Sequence, residues 1–218
     1  MDLTRQIDAY CERMDPGFWA EPINAVTNAA FLIAAVLMWR RCAGLPMGRA
    51  LSAVLFAIGL GSFAFHTTAQ VWSAIADTTP ILIFILLYIF AINRDVLGLS
   101  RWKPYAATAL FFPFAAATFP LFQMIPGIGS SAGYAPVPLL IVLYAVYLRR
   151  SHPALARGFV VGAAILVLSL TARSLDLPMC DRVPMGTHLW WHILNGIMLG
   201  WMIEVYRRQM LAAPPARR

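Results

Sequence analysis

TTPILIFILLYIFAIN, residues 78–93, contains no charged side chain and is bracketed by Asp77 on one side and Arg94 on the other. An apolar run of that kind has the length and composition of a helix that crosses the hydrocarbon core of a bilayer. It is one of several. Similar runs predict spans over 24–39, 50–69, 78–93, 105–122, 133–148, 157–172 and 187–206. The 218 residues are 60% hydrophobic and only 12% charged, which is too apolar for a water-soluble domain of this size. The expected fold class is therefore an all-α integral membrane protein, a seven-transmembrane helix bundle forming a single domain over 1–218. Pro113 and Pro120 in the fourth span and Pro136 and Pro138 in the fifth predict kinks there.

Charge in the connectors sets the expected orientation, because Lys and Arg near span ends are retained on the cytoplasmic side. Arg40, Arg41 and Arg49 follow span one, Arg94, Arg101 and Lys103 follow span three, and Arg149, Arg150 and Arg157 follow span five. Arg207, Arg208, Arg217 and Arg218 close the chain. The first 21 residues instead carry Asp2, Asp8, Glu12, Asp15 and Glu21 against Arg5 and Arg13, a sum of −3. The reading is an outer acidic segment over 1–20, an outer N-terminus, a cytoplasmic C-terminus and a disordered basic tail over 208–218. The net charge of +7 reflects this asymmetry and calls for no nucleic-acid partner. The abundance of Arg and Ala points to a bacterial inner membrane, with the outer side facing the periplasm. Under this topology Cys11 and Cys180 share the outer side, where a disulfide is permitted, and Cys42 lies on the cytoplasmic side.

Of four histidines, His152 falls in a cytoplasmic connector and three fall in spans. His188 and His192, in THLWWHILNG, are i and i+4 on one helix face, about 6 Å apart along the axis. His66 comes late in the outward-running second span, and the seventh span begins at the outer surface, so all three reach one depth. Ionisable groups inside a membrane are costly and mark functional sites. Three neutral imidazoles suit zinc and leave a fourth position for water, as in catalytic zinc sites. Ser62, one turn before His66, and Asp77, at the outer start of the third span, reach the same level. Taken singly, Ser62 is an ordinary back-bonded serine and Asp77 an N-cap. A retinal pigment is excluded, because the single lysine, Lys103, lies in a connector. Trp19, Trp72, Trp190 and Trp191 read as anchors at the outer interface.

The pattern Ser62-x3-His66-x10-Asp77 followed by His188-x3-His192, with CER at 11–13 and AEPIN at 20–24, resembles the alkaline ceramidase family. That family belongs to a superfamily of seven-span zinc hydrolases that includes the adiponectin receptors. The resemblance implies that His66, His188 and His192 bind zinc and that Asp77 and Ser62 serve the chemistry beside it. It implies hydrolysis of the amide of ceramide, or of a related N-acyl lipid drawn from the bilayer, to a sphingoid base and a fatty acid. The alternative is a receptor-like, lipid-sensing protein with structural zinc and little turnover. Animal members also bind calcium through their N-terminal acids, and Glu12, Glu21, Asp15 and Asn24 are the candidate calcium ligands here. Ala9 and Tyr10 stand where those members carry Asp-Trp, and Thr78 stands where the family has an acid.

Overall fold

The computed structural model describes residues 2–212. These are helical apart from the outer segment and short connectors, and they contain a single isolated β-bridge, Gln6 to Gln70. The helices are α1 Pro22–Thr27, α2 Ala29–Arg41, α3 Pro46–Thr68, α4 Val71–Ala91, α5 Lys103–Ala109, α6 Phe111–Gln123, α7 Pro136–Leu148, α8 Pro153–Leu175 and α9 His188–Ala212. Proline opens α1, α3, α7 and α8, where its missing N–H is one of the donors a helix start leaves unpaired in any case.

Six stretches are long and apolar enough to cross a membrane: Pro22–Arg41, Pro46–Thr68, Val71–Val96, Lys103–Gln123, Gly129–Leu148 and Pro153–Leu175. Helix α9, at 25 residues, is long enough but not apolar enough. It buries His188, His192, Asn195 and Glu204 in the bundle, so its polarity faces inward. Consecutive helices pack side by side, and α9 returns to pack on α2 and α8, which closes a ring around a core centred on Leu51, Leu55, Ile58, Ile92, Leu148 and Ile203. Large apolar side chains such as Ile33, Leu60, Ile83, Val146, Leu168 and Ile197 are exposed on the outside, as lipid contact requires.

Several expectations change in detail. Helix α4 begins at Val71, so Asp77 lies inside the helix and not at its start, because Gln70 and Ser73 form the N-terminal cap further out. The fourth span breaks at Leu110, between α5 and α6. Pro113 has no N–H to offer Ala109, and a break one turn before a proline follows from that. Pro136 and Pro138 do not kink the fifth span; they form the first turn of α7, after a 3₁₀ turn over Gly129–Gly133. The basic tail does not begin at 208. Helix α9 runs to Ala212, held where Arg207 and Arg208 pair with Glu204 at 2.7 and 2.8 Å and where Met210 is buried. The rest of the expected tail, 213–218, lies outside the described residues.

The N-terminal segment, expected on the outer side, lies across the end of the bundle at the α3–α4 turn. Ile7 N–H donates to Ala69 O at 2.7 Å, and Val71 and Trp72 N–H donate to Arg5 and Leu3 carbonyls at 3.2 and 3.0 Å. A disulfide joins Cys11 to Cys180 with Cα atoms 5.3 Å apart, as the shared outer location suggested, and Cys42 is a buried free thiol. The bridge spans 169 positions, a long loop to close in an unfolded chain. A Cys11→Ala/Cys180→Ala variant should lose about 2–5 kcal/mol of stability, read as a lower thermal midpoint under non-reducing conditions. An unchanged midpoint would show that the bridge does not hold the segment.

Candidate metal centre

Two helices bring the three imidazoles together. His66 comes from the last turns of α3, and His188 and His192 come from the first turns of α9. All three are at most 1% exposed, and one ring nitrogen from each lies within 4.8 Å of the others. The Nε2 atoms of His66 and His192 face one another at 3.0 Å. The close approach of α9 to α2 depends on Gly196, where a Cβ would meet the Ala30 backbone carbonyl carbon at 2.9 Å.

The far nitrogens explain what the near ones present. His66 Nδ1 lies 2.6 Å from Glu21 Oε2, and a carboxylate can only accept, so the proton sits on Nδ1. His192 Nδ1 lies 2.9 Å from Thr27 Oγ1, whose own hydrogen goes to the Ile23 carbonyl at 2.8 Å, so this nitrogen also donates. With both rings neutral, both Nε2 atoms present lone pairs, and two lone pairs facing at 3.0 Å repel unless a cation lies between them. His188 Nδ1 is buried without a hydrogen-bond partner. Two donors with fixed tautomers and a third unpartnered imidazole nitrogen nearby fit a three-histidine zinc site, and an acceptor behind a ligating imidazole is the usual support for such a site.

The surroundings come from elements far apart in sequence. Tyr10, from the outer segment, stacks on His188 at 3.6 Å between centroids, and loss of solvent against these rings pushes its hydroxyl up to about 12, so it stays neutral. Asp176 accepts from Cys11 N–H at 3.0 Å, Thr187 N–H at 2.7 Å and His188 N–H at 2.8 Å. One buried carboxylate thus caps α9 at its histidine end and ties the outer segment to it. Burial alone would push the Glu21 carboxyl up, but the His66 N–H and the Arg13 guanidinium outweigh it and hold the group below the usual carboxylate range.

Ser62 and Asp77 reach the same region from α3 and α4. The Ser62 hydroxyl is directed at the Asp77 carboxylate, and Asp77 lies within electrostatic reach of His66. Gly61 permits this, because a Cβ there would collide with the Ala76 carbonyl and hold the helices apart. Trp191 departs from the expected interfacial row. It is 8% exposed and lines an apolar cavity with Phe31, Ile58, Phe84, Tyr88 and Met198, whereas Trp19, Trp72 and Trp190 are 59%, 40% and 51% exposed.

The candidate calcium donors do not converge on a free position. Glu12 accepts from the Ile23 and Asn24 N–H groups at 2.6 and 2.8 Å, capping α1. Glu21 spends one oxygen on Arg13 and the other on His66, and Asp15 Oδ1 accepts from Gly17 N–H at 2.6 Å. Asn24 donates to Glu21 at 3.2 Å and keeps one unpartnered carbonyl oxygen, far short of the six to eight that calcium takes. The set does not fit the ion.

Sequence reasoning did not find Thr27, Tyr10, Arg13 or Asp176, and it gave Glu21 a different task. Glu21, Asn24, Thr27 and Asn28 recur at helical spacing on an otherwise apolar span, and that polar stripe is the signal for the support behind the imidazoles. Nothing comparable marks Tyr10 or Arg13, which act from irregular chain.

Residues 9–213 match the family model described as Ceramidase, and the chain belongs to that family. No individual curated protein matches it.

Thr27→Val, which removes the acceptor behind His192 at little cost in volume, should lower metal affinity by about 10-fold or more. Competition titration against a chromophoric chelator measures it; parent-level affinity would show that Thr27 does not fix the ring.

Proposed function

We propose, from this family membership and the buried imidazole cluster, that the protein is a zinc-dependent amidase acting on ceramide or a related N-acyl lipid within the membrane. The observation that carries the reading is the pair of Nε2 atoms facing at 3.0 Å, each ring backed by an oxygen at its Nδ1. His66, His188 and His192 would hold the ion. Zinc bound there supplies an acidified water and polarises the amide carbonyl.

The remaining steps belong to the chain's own residues. Asp77 takes a proton from the water as its oxygen bonds to the amide carbon, then gives that proton to the amide nitrogen as the C–N bond breaks. The products are a fatty acid and an amine. Ser62 donates its hydroxyl hydrogen to Asp77 at rest and to the developing oxyanion in the intermediate. The apolar cavity lined by Phe31, Phe84, Tyr88 and Trp191 begins beside His188 and His192 and would take an acyl chain from the bilayer while excluding water.

In this reading α9 is a seventh span, with the N-terminus and the metal centre on the periplasmic side of a bacterial inner membrane. Support comes from the disulfide, which needs an oxidising compartment and closes over the same end of the bundle as the imidazoles. The opposite end carries the Arg41, Arg207 and Arg208 cluster on Glu204.

Purified protein should carry about one zinc per chain, and His66→Ala or His192→Ala should lose most of it by elemental analysis. Asp77→Asn should keep zinc and fold while losing at least about 100-fold in turnover of a ceramide substrate, because an amide cannot take the water's proton. Near-parental turnover in Asp77→Asn would remove it from the mechanism. A parent that holds zinc yet releases no fatty acid from any N-acyl lipid in a panel would favour the lipid-sensing alternative.

A further inference from the structure

Arg13 is the one cation buried in the outer segment among the described residues, its side chain 4% exposed against 2% for Glu21. Its Nε donates to Glu21 Oε1 at 2.6 Å, its Nη1 to the Asp15 and Gly17 carbonyls at 3.1 and 3.4 Å, and its Nη2 to the His66 carbonyl at 3.1 Å. One carboxylate and three carbonyl oxygens thus converge on a guanidinium. Two of the four acceptors belong to Glu21 and Asp15, which the sequence offered as candidate calcium ligands. Glu21 turns its second oxygen to His66 Nδ1 at 2.6 Å, so the charge on Arg13 is two contacts from a candidate zinc ligand. The Arg13 Nη2 bond to the His66 carbonyl fixes the backbone of the same residue.

We infer that Arg13 is a built-in cation that replaces calcium in this chain: it folds the turn over 13–17, fixes the Glu21 side chain against His66, and makes the zinc centre independent of calcium. A fixed fork suits this task, since it offers five N–H donors in one plane and, being part of the chain, cannot dissociate. Arg13 is a positioning residue, acting on the metal centre through Glu21 and through the His66 backbone. The inference rests on the reading of His66 as a zinc ligand and goes beyond it.

The test compares parent, Arg13→Ala and Arg13→Lys, each purified in detergent, by zinc affinity and by thermal midpoint with and without added calcium. The parent midpoint should not move with calcium. Arg13→Ala should bind zinc about 10-fold or more weakly, and guanidinium ion at a concentration too low to denature should restore part of the loss by refilling the space. A merely structural role for Arg13 would show no such rescue. A calcium-dependent rise in the parent midpoint, or parent-level zinc affinity in Arg13→Ala, would overturn the inference. Where Arg13→Ala does not fold, Arg13→Lys decides: weaker zinc binding supports the role, since an ammonium cannot reach all four oxygens, and unchanged binding overturns it. A parent that binds no zinc defeats the underlying metal reading instead, and the calcium response of the parent then decides the question for Arg13 alone.

Discussion

Holding three imidazoles together in an apolar bundle is the constraint to which this end of the protein answers. A buried imidazole offers its lone pair in a fixed direction only if the other nitrogen has an acceptor to hold its proton. Glu21 and Thr27 are those acceptors for His66 and His192. Each lies next to or on the first span, while the rings they orient belong to α3 and α9. The packing of α1 and α2 against both helices is thus a chemical requirement as well as a steric one. His188 is held differently, by the Tyr10 face and by its own N–H on Asp176.

The outer segment follows from the same need. A short irregular stretch would be a poor wall for a buried imidazole cluster if it were free to move. Here it is fixed by backbone bonds to the α3–α4 turn, by the Cys11–Cys180 bridge, by Asp176 and by Arg13. The fixings reach both sides of the site, so Tyr10 lies over His188 without a helix to carry it.

The opposite end of the bundle is organised by different means. Glu204 accepts from Arg41, Arg207 and Arg208 at 3.0, 2.7 and 2.8 Å, and the Tyr206 hydroxyl donates to Asp95 Oδ2 at 2.7 Å within the π-helical segment Ile92–Val96. These contacts join the end of α9 to α2 and to the end of the third span. Arginines that read from sequence as topology signals also lock the helix that carries two of the imidazoles.

Local pattern was enough to read the helical class, most of the span positions and the convergence of His66, His188 and His192, because each depends on composition over one helix or on i, i+4 spacing. Apolar runs need only their own length to be recognised, and charges at their ends need only be counted. The end of α9 was misjudged because Arg208 looks like the start of a solvated tail until Glu204 is seen to hold it, and Trp191 was misjudged because one helix face cannot be told from another before its neighbours are placed. Only the tertiary structure decided the work of Glu21, Thr27, Tyr10, Asp176 and Arg13. Each acts on a partner between 8 and 178 positions away, across a contact made only when the ring of helices closes, and the same carboxylate can serve an ion, an arginine or an imidazole according to what that closure brings beside it.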